Sequence, residues 1–419
     1  MKRYKINGGY YLSGDVFISG SKNASLPIIC ASVMLRREVE LNNVPDISDV
    51  DVLIGMLRDY NVNVIRENDK LIIDSSNIQN VDECNINAKS FRASYYLLGS
   101  LINVFDEVSL YKQGGCKLGD RPIDLHSFAF SRLGLKLCEY NDKYKLVRCC
   151  KSRKIIRFKK ISMGATINAI MAALSTEKKV IIKNVSLEPE VLDLVNFLNV
   201  CGYVIELHKT YVVVHKERKI KESIKYEIMY DRIEAGSYAI LSALVGNGVY
   251  IHNFNGEHLT ALLSEFDKLG VFYHFSDEVL YVGKSKCIHP IRITADVYPK
   301  FPTDLIQMMT ILSLVSGDIS VFKDCIYPKR YAHLLELSKY GVDIDFVDDE
   351  VFVYGNSHFS PGVFVGNDLR GTMALLMYAL NCDGESYVYG IEYLERGYSG
   401  VVNKLINIGA CIEVENVEE

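Results

Sequence analysis

Residues 191–207 read VLDLVNFLNVCGYVIEL, and this stretch sets the pattern from which the fold follows. Val191, Leu194, Val195 and Leu198 stand at i, i+3, i+4 and i+7, one apolar face of a helix. Gly202 follows as a residue suited to a left-handed helix end, and Tyr203-Val204-Ile205 opens an aromatic and β-branched run. The same order recurs with Leu53, Met56, Leu57 and Tyr60 ahead of Asn61, and with Leu259, Leu262, Leu263 and Phe266 ahead of Gly270. With Gly134, Gly341 and Gly409 these make six capping positions about 70 residues apart, which account for nearly the whole chain.

A second helix recurs with the same period. Its copies begin near Ser21-Lys22-Asn23, Phe91-Arg92-Ala93, Ser162-Met163-Gly164, Asp231-Arg232-Ile233, Pro302-Thr303-Asp304 and Asp368-Leu369-Arg370. Stretches such as Ala165 to Leu174 and Ala374 to Leu380 lack a polar face, so these helices are expected to be buried. Short strands lie between, for example Val16 to Ser19, Val180 to Lys183 and Val249 to His252. Each unit thus reads as strands with one central and one outer helix. Three units closing around three buried helices would make one domain, and two such domains use all six. The boundary is expected near Tyr230-Asp231, after the basic stretch Lys216 to Lys225. Lys5 to Ser19 reads as a strand pairing with the second domain, which gives domains of residues 20–229 and of 1–19 plus 230–419.

Composition narrows the function classes. A hydrophobic content of 49%, 24% charged residues and a net charge of -5 describe an ordinary globular protein and argue against a general nucleic-acid binder. No apolar run approaches the ~18 residues that span a bilayer, and no apolar segment follows the charged start, so neither a membrane anchor nor a signal peptide is expected. The 11 cysteines are scattered without a C-x-x-C, which fits reduced thiols in the cytoplasm better than disulfides or zinc. Most of them are expected to be small core residues.

Chemistry concentrates where the buried helices begin. A buried helix start carries unpaired N–H groups and partial positive charge, and several together would form an anion site. Lys22, Arg92, Arg121, Lys160, Arg232, Arg330, Arg370 and Arg396 stand at helix starts or in strand-to-helix loops. Single cations there commonly just pair with carboxylates; the set points to phosphate or carboxylate binding. Residues 112–122, Lys112-Gln113-Gly114-Gly115-Cys116-Lys117-Leu118-Gly119-Asp120-Arg121-Pro122, read as a glycine-rich loop. Its cations would lower the Cys116 thiol pKa and suit it to general acid work, although a passive loop cysteine fits the segment equally well. Asp304 is the leading carboxylate, with the simpler reading that an aspartate near a helix start is stabilising in itself.

Taken in order, Ile18-Ser19-Gly20-Ser21-Lys22-Asn23-Ala24, Arg92-Ala93-Ser94, Gly114-Gly115-Cys116, and Arg121-Pro122-Ile123-Asp124-Leu125-His126 resemble the UDP-N-acetylglucosamine 1-carboxyvinyltransferase family. So do Glu188-Pro189-Glu190, Asp231-Arg232-Ile233-Glu234, Phe301-Pro302-Thr303-Asp304, Asp368-Leu369-Arg370 and Arg396-Gly397-Tyr398. The resemblance implies an α/β fold of two inside-out α/β barrel domains, each of three pseudo-symmetric repeats. It implies transfer of the enolpyruvyl group of phosphoenolpyruvate to UDP-N-acetylglucosamine, with no metal or organic cofactor. Carried over by position, Cys116 would protonate the methylene carbon of phosphoenolpyruvate and be the thiol alkylated by fosfomycin-type epoxides. Asp304 would contact and deprotonate the sugar 3-hydroxyl. Lys22, Arg121 and Arg396 would bind the phosphate of phosphoenolpyruvate, Arg330 and Arg370 its carboxylate side. Asn23 and Ile326 would touch the sugar; Arg92 with Arg121, Pro122, Ile123, Asp124 and Leu125 would hold the nucleotide. Lys160, Ile161, Ser162 and Met163 would receive the diphosphate at a helix start. A monomer or weak homo-oligomer is expected.

The chain departs from the family pattern at several places. Pro328 stands where Glu is usual, two residues before Arg330, and Gly371 where Ala is usual after Arg370. Gln113 and Asp120 alter the cysteine loop, and an acid at 120 would raise the Cys116 pKa. Two alternatives stay open on these grounds: an enolpyruvyl transferase acting on another uridine nucleotide, and a weakly active paralogue that binds the UDP-sugar as a sensor.

Overall fold

The computed structural model describes residues 2–81, 91–112, 122–276 and 278–417. These fall into two compact units, one within Gly20–Met229 and one of the N-terminal residues to Ser19 together with the chain from Tyr230 onward. Each has its own hydrophobic core.

In the unit of residues 20–229, the described strands form three sheets. In order across each, they are Lys225–Glu227, Glu38–Asn42, Lys70–Asp74, Asn63–Glu67; then Glu107–Tyr111, Lys143–Arg148, Leu135–Tyr140; then Tyr203–Leu207, Tyr211–Arg218, Val180–Lys183, Ile155–Arg157. The central helices are α1 (Lys22–Ser32), α2 (Tyr96–Leu101) and α3 (Met163–Ala173), with α2 packed against both others. The other unit repeats the plan with α4 (Arg232–Val245), α5 (Ile306–Ser313) and α6 (Leu369–Asn381), all mutually in contact. Its sheets are Val363–Val365, Gly384–Tyr389, Lys2–Gly8, Cys411–Asn416; Tyr273–Ser276, Val279–Val282, Gly246–His252, Leu12–Phe17; and Arg292–Ala295, Ile319–Asp324, Glu350–Tyr354, Ile344–Val347.

The repeating element is a short strand, a buried helix and a strand parallel to the first, as in Ile155–Arg157, α3 and Val180–Lys183. At the two chain crossings these leading strands are exchanged. Leu12–Phe17 precedes α1 in sequence but pairs with Gly246–His252, the strand after α4. Lys225–Glu227 precedes α4 but pairs with Glu38–Asn42, the strand after α1. Hydrogen bonds secure each side: Ser21 N–H donates to Met229 O at 2.7 Å, and Asp231 N–H to Ser19 O at 2.9 Å.

All six expected capping residues adopt positive φ, from 60° at Asn61 to 102° at Gly202. Four of the central helices start where polar residues were expected to open them: Ser21, Ser162, Asp231 and Asp368 each accept hydrogen bonds from first-turn N–H groups. Three readings need correction. Lys5 to Ser19 is two strands in two different sheets, because Gly9 turns the chain at φ 85°. Arg92 opens a 3-10 turn, Arg92–Tyr95, and the helix behind it is only six residues long. Of the nine cysteines among the described residues only Cys30, Cys201 and Cys382 are buried, so most do not serve as core residues. Among the described residues no helix is long and apolar enough to cross a membrane.

Candidate active site

Two polar clusters sit at the starts of the buried helices, one in each unit. In the unit of residues 20–229, Lys22 is the first residue of α1, and its Nζ lies 2.7 Å from Asp49 Oδ2. Asp49 stands in the first turn of helix Ser48–Asp59, where the helix start favours a carboxylate. Asn23 is half-buried beside Lys22. The guanidinium of Arg92 lies 5.8 Å from the Tyr95 ring centre. Helix Asp124–Arg132 begins with exposed Asp124 and half-buried Leu125, after exposed Pro122 and half-buried Ile123. Lys160 is exposed and Ile161, Ser162 and Met163 half-buried where α3 begins, with Ser162 Oγ accepting from Ala165 N–H.

His126 links these segments. Its Nδ1 is 2.9 Å from Asn168 Nδ2 on α3, and Asn168 also donates to Tyr95 O at 3.0 Å and accepts from Gly99 N–H at 3.1 Å. Burial, then the charge of Arg92, lowers the His126 pKa to about 4, while Asp124 opposes the shift. The imidazole is therefore neutral, with Nδ1 accepting from Asn168. Thus Arg92, Asp124 and the start of α3 surround one fixed histidine.

The second cluster is built on Asp304. Its Oδ1 accepts from Arg330 Nη1 at 2.6 Å and its Oδ2 from Arg370 Nη2 at 3.1 Å. Burial would raise the Asp304 pKa, but Arg370 and Arg330 outweigh it and hold the carboxyl well below the usual carboxylate range. Asp304 was read at a helix start; α5 begins two residues later, and the carboxylate spends both oxygens on guanidiniums. Arg370 also lies 5.1 Å from the Tyr398 ring centre, and Arg330 Nε is 3.6 Å from Asp368 Oδ1. Asp368 meanwhile caps α6, accepting from Arg370 and Gly371 N–H.

A second carboxylate shapes the neighbouring turn. Asp324 Oδ1 accepts from Ile326 N–H at 2.8 Å and Tyr327 N–H at 2.9 Å, while its Oδ2 accepts from the Thr303 hydroxyl at 2.5 Å. It thereby ties the Asp304 turn to the turn that carries half-buried Ile326, exposed Pro328 and Arg330. Arg396 is half-buried directly after helix Ile391–Glu395. Arg232, on α4, lies 5.7 Å from the Tyr298 ring centre.

The expected loop residues Cys116 and Arg121, with Gln113 and Asp120, lie outside the described residues. Asp49, Asp324, His126 and Asn168 were not anticipated as parts of the clusters. Asp49 had a local signal, an acid in a first helical turn; the others take their places only through packing. Chemically, the first cluster offers cations and a helix start to an extended anionic ligand. The second offers two buried guanidiniums that share one carboxylate.

Known proteins similar to this chain are enolpyruvyl transferases. The family described as EPSP synthase (3-phosphoshikimate 1-carboxyvinyltransferase) matches residues 6–405. UDP-N-acetylglucosamine 1-carboxyvinyltransferase of Lactobacillus johnsonii is 36% identical over 100% of both chains. The enzyme of that name from Streptococcus pneumoniae serotype 2 is 35% identical over 99% of both. Among solved structures, the enolpyruvyl transferase NikO from Streptomyces tendae matches with a TM-score of 0.89 at 20% identity, covering 100% of this chain and 99% of its own. EPSP synthase from Acinetobacter baumannii matches with a TM-score of 0.73 at 14% identity over 99% and 100%. Those two likenesses bear on the fold, which is mixed α/β of the enolpyruvyl transferase type. By its full-length identity to the curated enzymes, the chain belongs to the UDP-N-acetylglucosamine 1-carboxyvinyltransferase family of enolpyruvyl transferases.

Proposed function

We propose that this chain transfers the enolpyruvyl group of phosphoenolpyruvate to the 3-hydroxyl of UDP-N-acetylglucosamine and releases phosphate, the first committed step of peptidoglycan precursor synthesis. The observation that carries this reading is the 33–36% identity to enzymes named for that reaction, sustained over the full chain. The enzyme works in the cytoplasm as a monomer or weak homo-oligomer, with its two three-repeat units as inside-out α/β barrels.

The reaction is an addition followed by an elimination. The sugar 3-oxygen bonds to C2 of phosphoenolpyruvate as Cys116 delivers a proton to C3, and the hydroxyl proton passes to Asp304. The resulting tetrahedral ketal loses phosphate from C2 and a proton from C3, which restores the double bond as an enol ether. Lys22, Arg121 and Arg396 hold the phosphate, and Arg330 and Arg370 the carboxylate. Fixed cations of this kind stabilise charge as it develops without reorganising. Asn23 and Ile326 touch the sugar, and Arg92 with Arg121 to Leu125 holds the nucleotide. Lys160 to Met163 present the start of α3 to the diphosphate, where free N–H groups favour an anion.

The test is phosphate release from phosphoenolpyruvate by purified protein, with and without UDP-N-acetylglucosamine, combined with the product mass. Acceptor-dependent release and an enolpyruvyl mass gain are expected. Binding of the UDP-sugar with no release would overturn the transferase reading in favour of a sensor. Release only with another uridine nucleotide would reassign the acceptor, and the exposed Pro328 in the turn beside Ile326 is the feature that would then explain it.

A further inference from the structure

We infer that the donor and Asp304 compete for the same two guanidiniums, so that binding of the donor's carboxylate is what releases Asp304 to act as a base. This rests on the proposed transferase reading and adds a gate to it.

The geometry leaves little alternative use for the carboxylate in the free protein. Both oxygens are engaged, Oδ1 by Arg330 at 2.6 Å and Oδ2 by Arg370 at 3.1 Å. An aspartate shared between two cations is stabilised as the anion at both oxygens and accepts a proton from an alcohol poorly. The cations are the fixed partners. The side chains of Arg330 and Arg370 are 6% and 2% exposed, whereas that of Asp304 is 23% exposed. Arg330 is anchored through its backbone, accepting from Gln307 Nε2 at 3.3 Å and donating to Tyr327 O at 3.1 Å. Arg370 is held within α6 beside Tyr398. Asp304 stands on a turn ahead of α5 and is the most exposed of the three.

The Nε atoms of Arg330 and Arg370 are buried without a hydrogen-bond partner, that of Arg330 facing Asp368 Oδ1 at 3.6 Å. An incoming carboxylate finds two cations already converged and one more exposed anion to displace. Once displaced, Asp304 loses the charges that suppress its basicity, while Asp368 and Asp231 remain near the arginines and Asp324 behind Thr303. His333, packed against Arg330 and Asp368, is neutral and adds no compensating charge. A base that switches on only when the donor is seated protects the acceptor hydroxyl from unproductive deprotonation.

The inference is tested with 2-phospholactate, which has the donor's carboxylate and phosphate but no double bond to react. Its dissociation constant is measured calorimetrically without acceptor for the wild type, Asp304→Asn and Asp304→Glu. Removing the competing charge should tighten binding at least about tenfold in Asp304→Asn, the scale of one charge-assisted hydrogen bond regained by the cations. Asp304→Glu keeps the charge and should stay within about threefold of wild type. Asp304→Ser serves as the neutral variant if the asparagine protein fails to fold. Unchanged or weaker binding by the neutral variant, with wild-type turnover intact, overturns this inference alone. If the wild type neither binds 2-phospholactate nor turns over phosphoenolpyruvate, the transferase reading falls and takes the inference with it.

Discussion

Lys404→Met should destabilise the unit of residues 1–19 and 230–419 more than any surface change of equal size. Lys404 Nζ donates to Glu234 Oε1 at 2.6 Å and to Ser19 Oγ at 2.7 Å, and Glu234 Oε2 accepts from Ser19 N–H at 2.8 Å. The side chains are 17% and 3% exposed, so the carboxylate is the drier partner. Burial raises the Glu234 pKa, and Lys404 is the chief group opposing that shift. Methionine would fill the stem but leave the buried carboxylate only Ser19 N–H and the start of α4. Breaking a buried pair from one side costs about 3–5 kcal/mol, and the partial exposure of Lys404 favours about 3. For a unit of this size that lowers its melting temperature by roughly 6–12 °C in a calorimetric scan. A carboxyl whose folded pKa exceeds its unfolded value contributes most below the unfolded pKa and loses that contribution as pH rises through the folded one. The defect should therefore be smaller at pH 5 than at pH 8. Adding Glu234→Gln should recover about 2 kcal/mol or more, since the pair is directly coupled. A Lys404→Met protein melting within about 2 °C of wild type, or a defect that Glu234→Gln leaves untouched, would refute the reasoning.

Two further pH effects follow from buried groups, with opposite signs. Asp193, in helix Pro189–Val200, accepts from the Tyr226 hydroxyl at 2.5 Å and from Met229 N–H at 3.2 Å, and burial raises its pKa to about 6. Relative to Asp193→Asn, whose oxygen can accept from Met229 N–H while its amide donates to the Tyr226 oxygen as that hydroxyl turns to Asp193 O, wild type should lose up to about 3 kcal/mol as pH rises from 4 through 6, read from urea unfolding across that range. His333 shows the reverse: its Nε2 donates to Thr310 Oγ1 at 2.9 Å, because that hydroxyl is committed to Gln307 O, and burial lowers its pKa to about 4. Its stabilising contribution is complete above the unfolded pKa and is lost as pH falls toward 4, about 3 kcal/mol that His333→Gln should remove from the acid-unfolding profile.

What could be read along the chain, and what could not, divides by the range of the interaction. The stripe of Val191, Leu194, Val195 and Leu198 and the turn at Gly202 are set within a dozen residues, so periodicity and φ preference suffice to find them. Ser21, Ser162, Asp231 and Asp368 are legible for the same reason, each bonding N–H groups two or three residues ahead. The break at Gly8-Gly9 was within reach as well. A side chain at Gly8 would strike the Ala379 carbonyl, and Gly9 takes φ 85°, so the doublet marked two strands rather than one. The exchanged leading strands are another matter, because Leu12–Phe17 chooses Gly246–His252 over any neighbour in sequence. Asp304 marks the limit most sharply. Its type and place at the front of a buried helix suggested a cap or a base. Its chemistry depends instead on Arg330 and Arg370, which lie 26 and 66 residues further along and meet it through tertiary packing, α6 lying against α5. Packing thus gathers charges that no local pattern relates, and it leaves the carboxylate of Asp304 governed by which anion the two arginines hold.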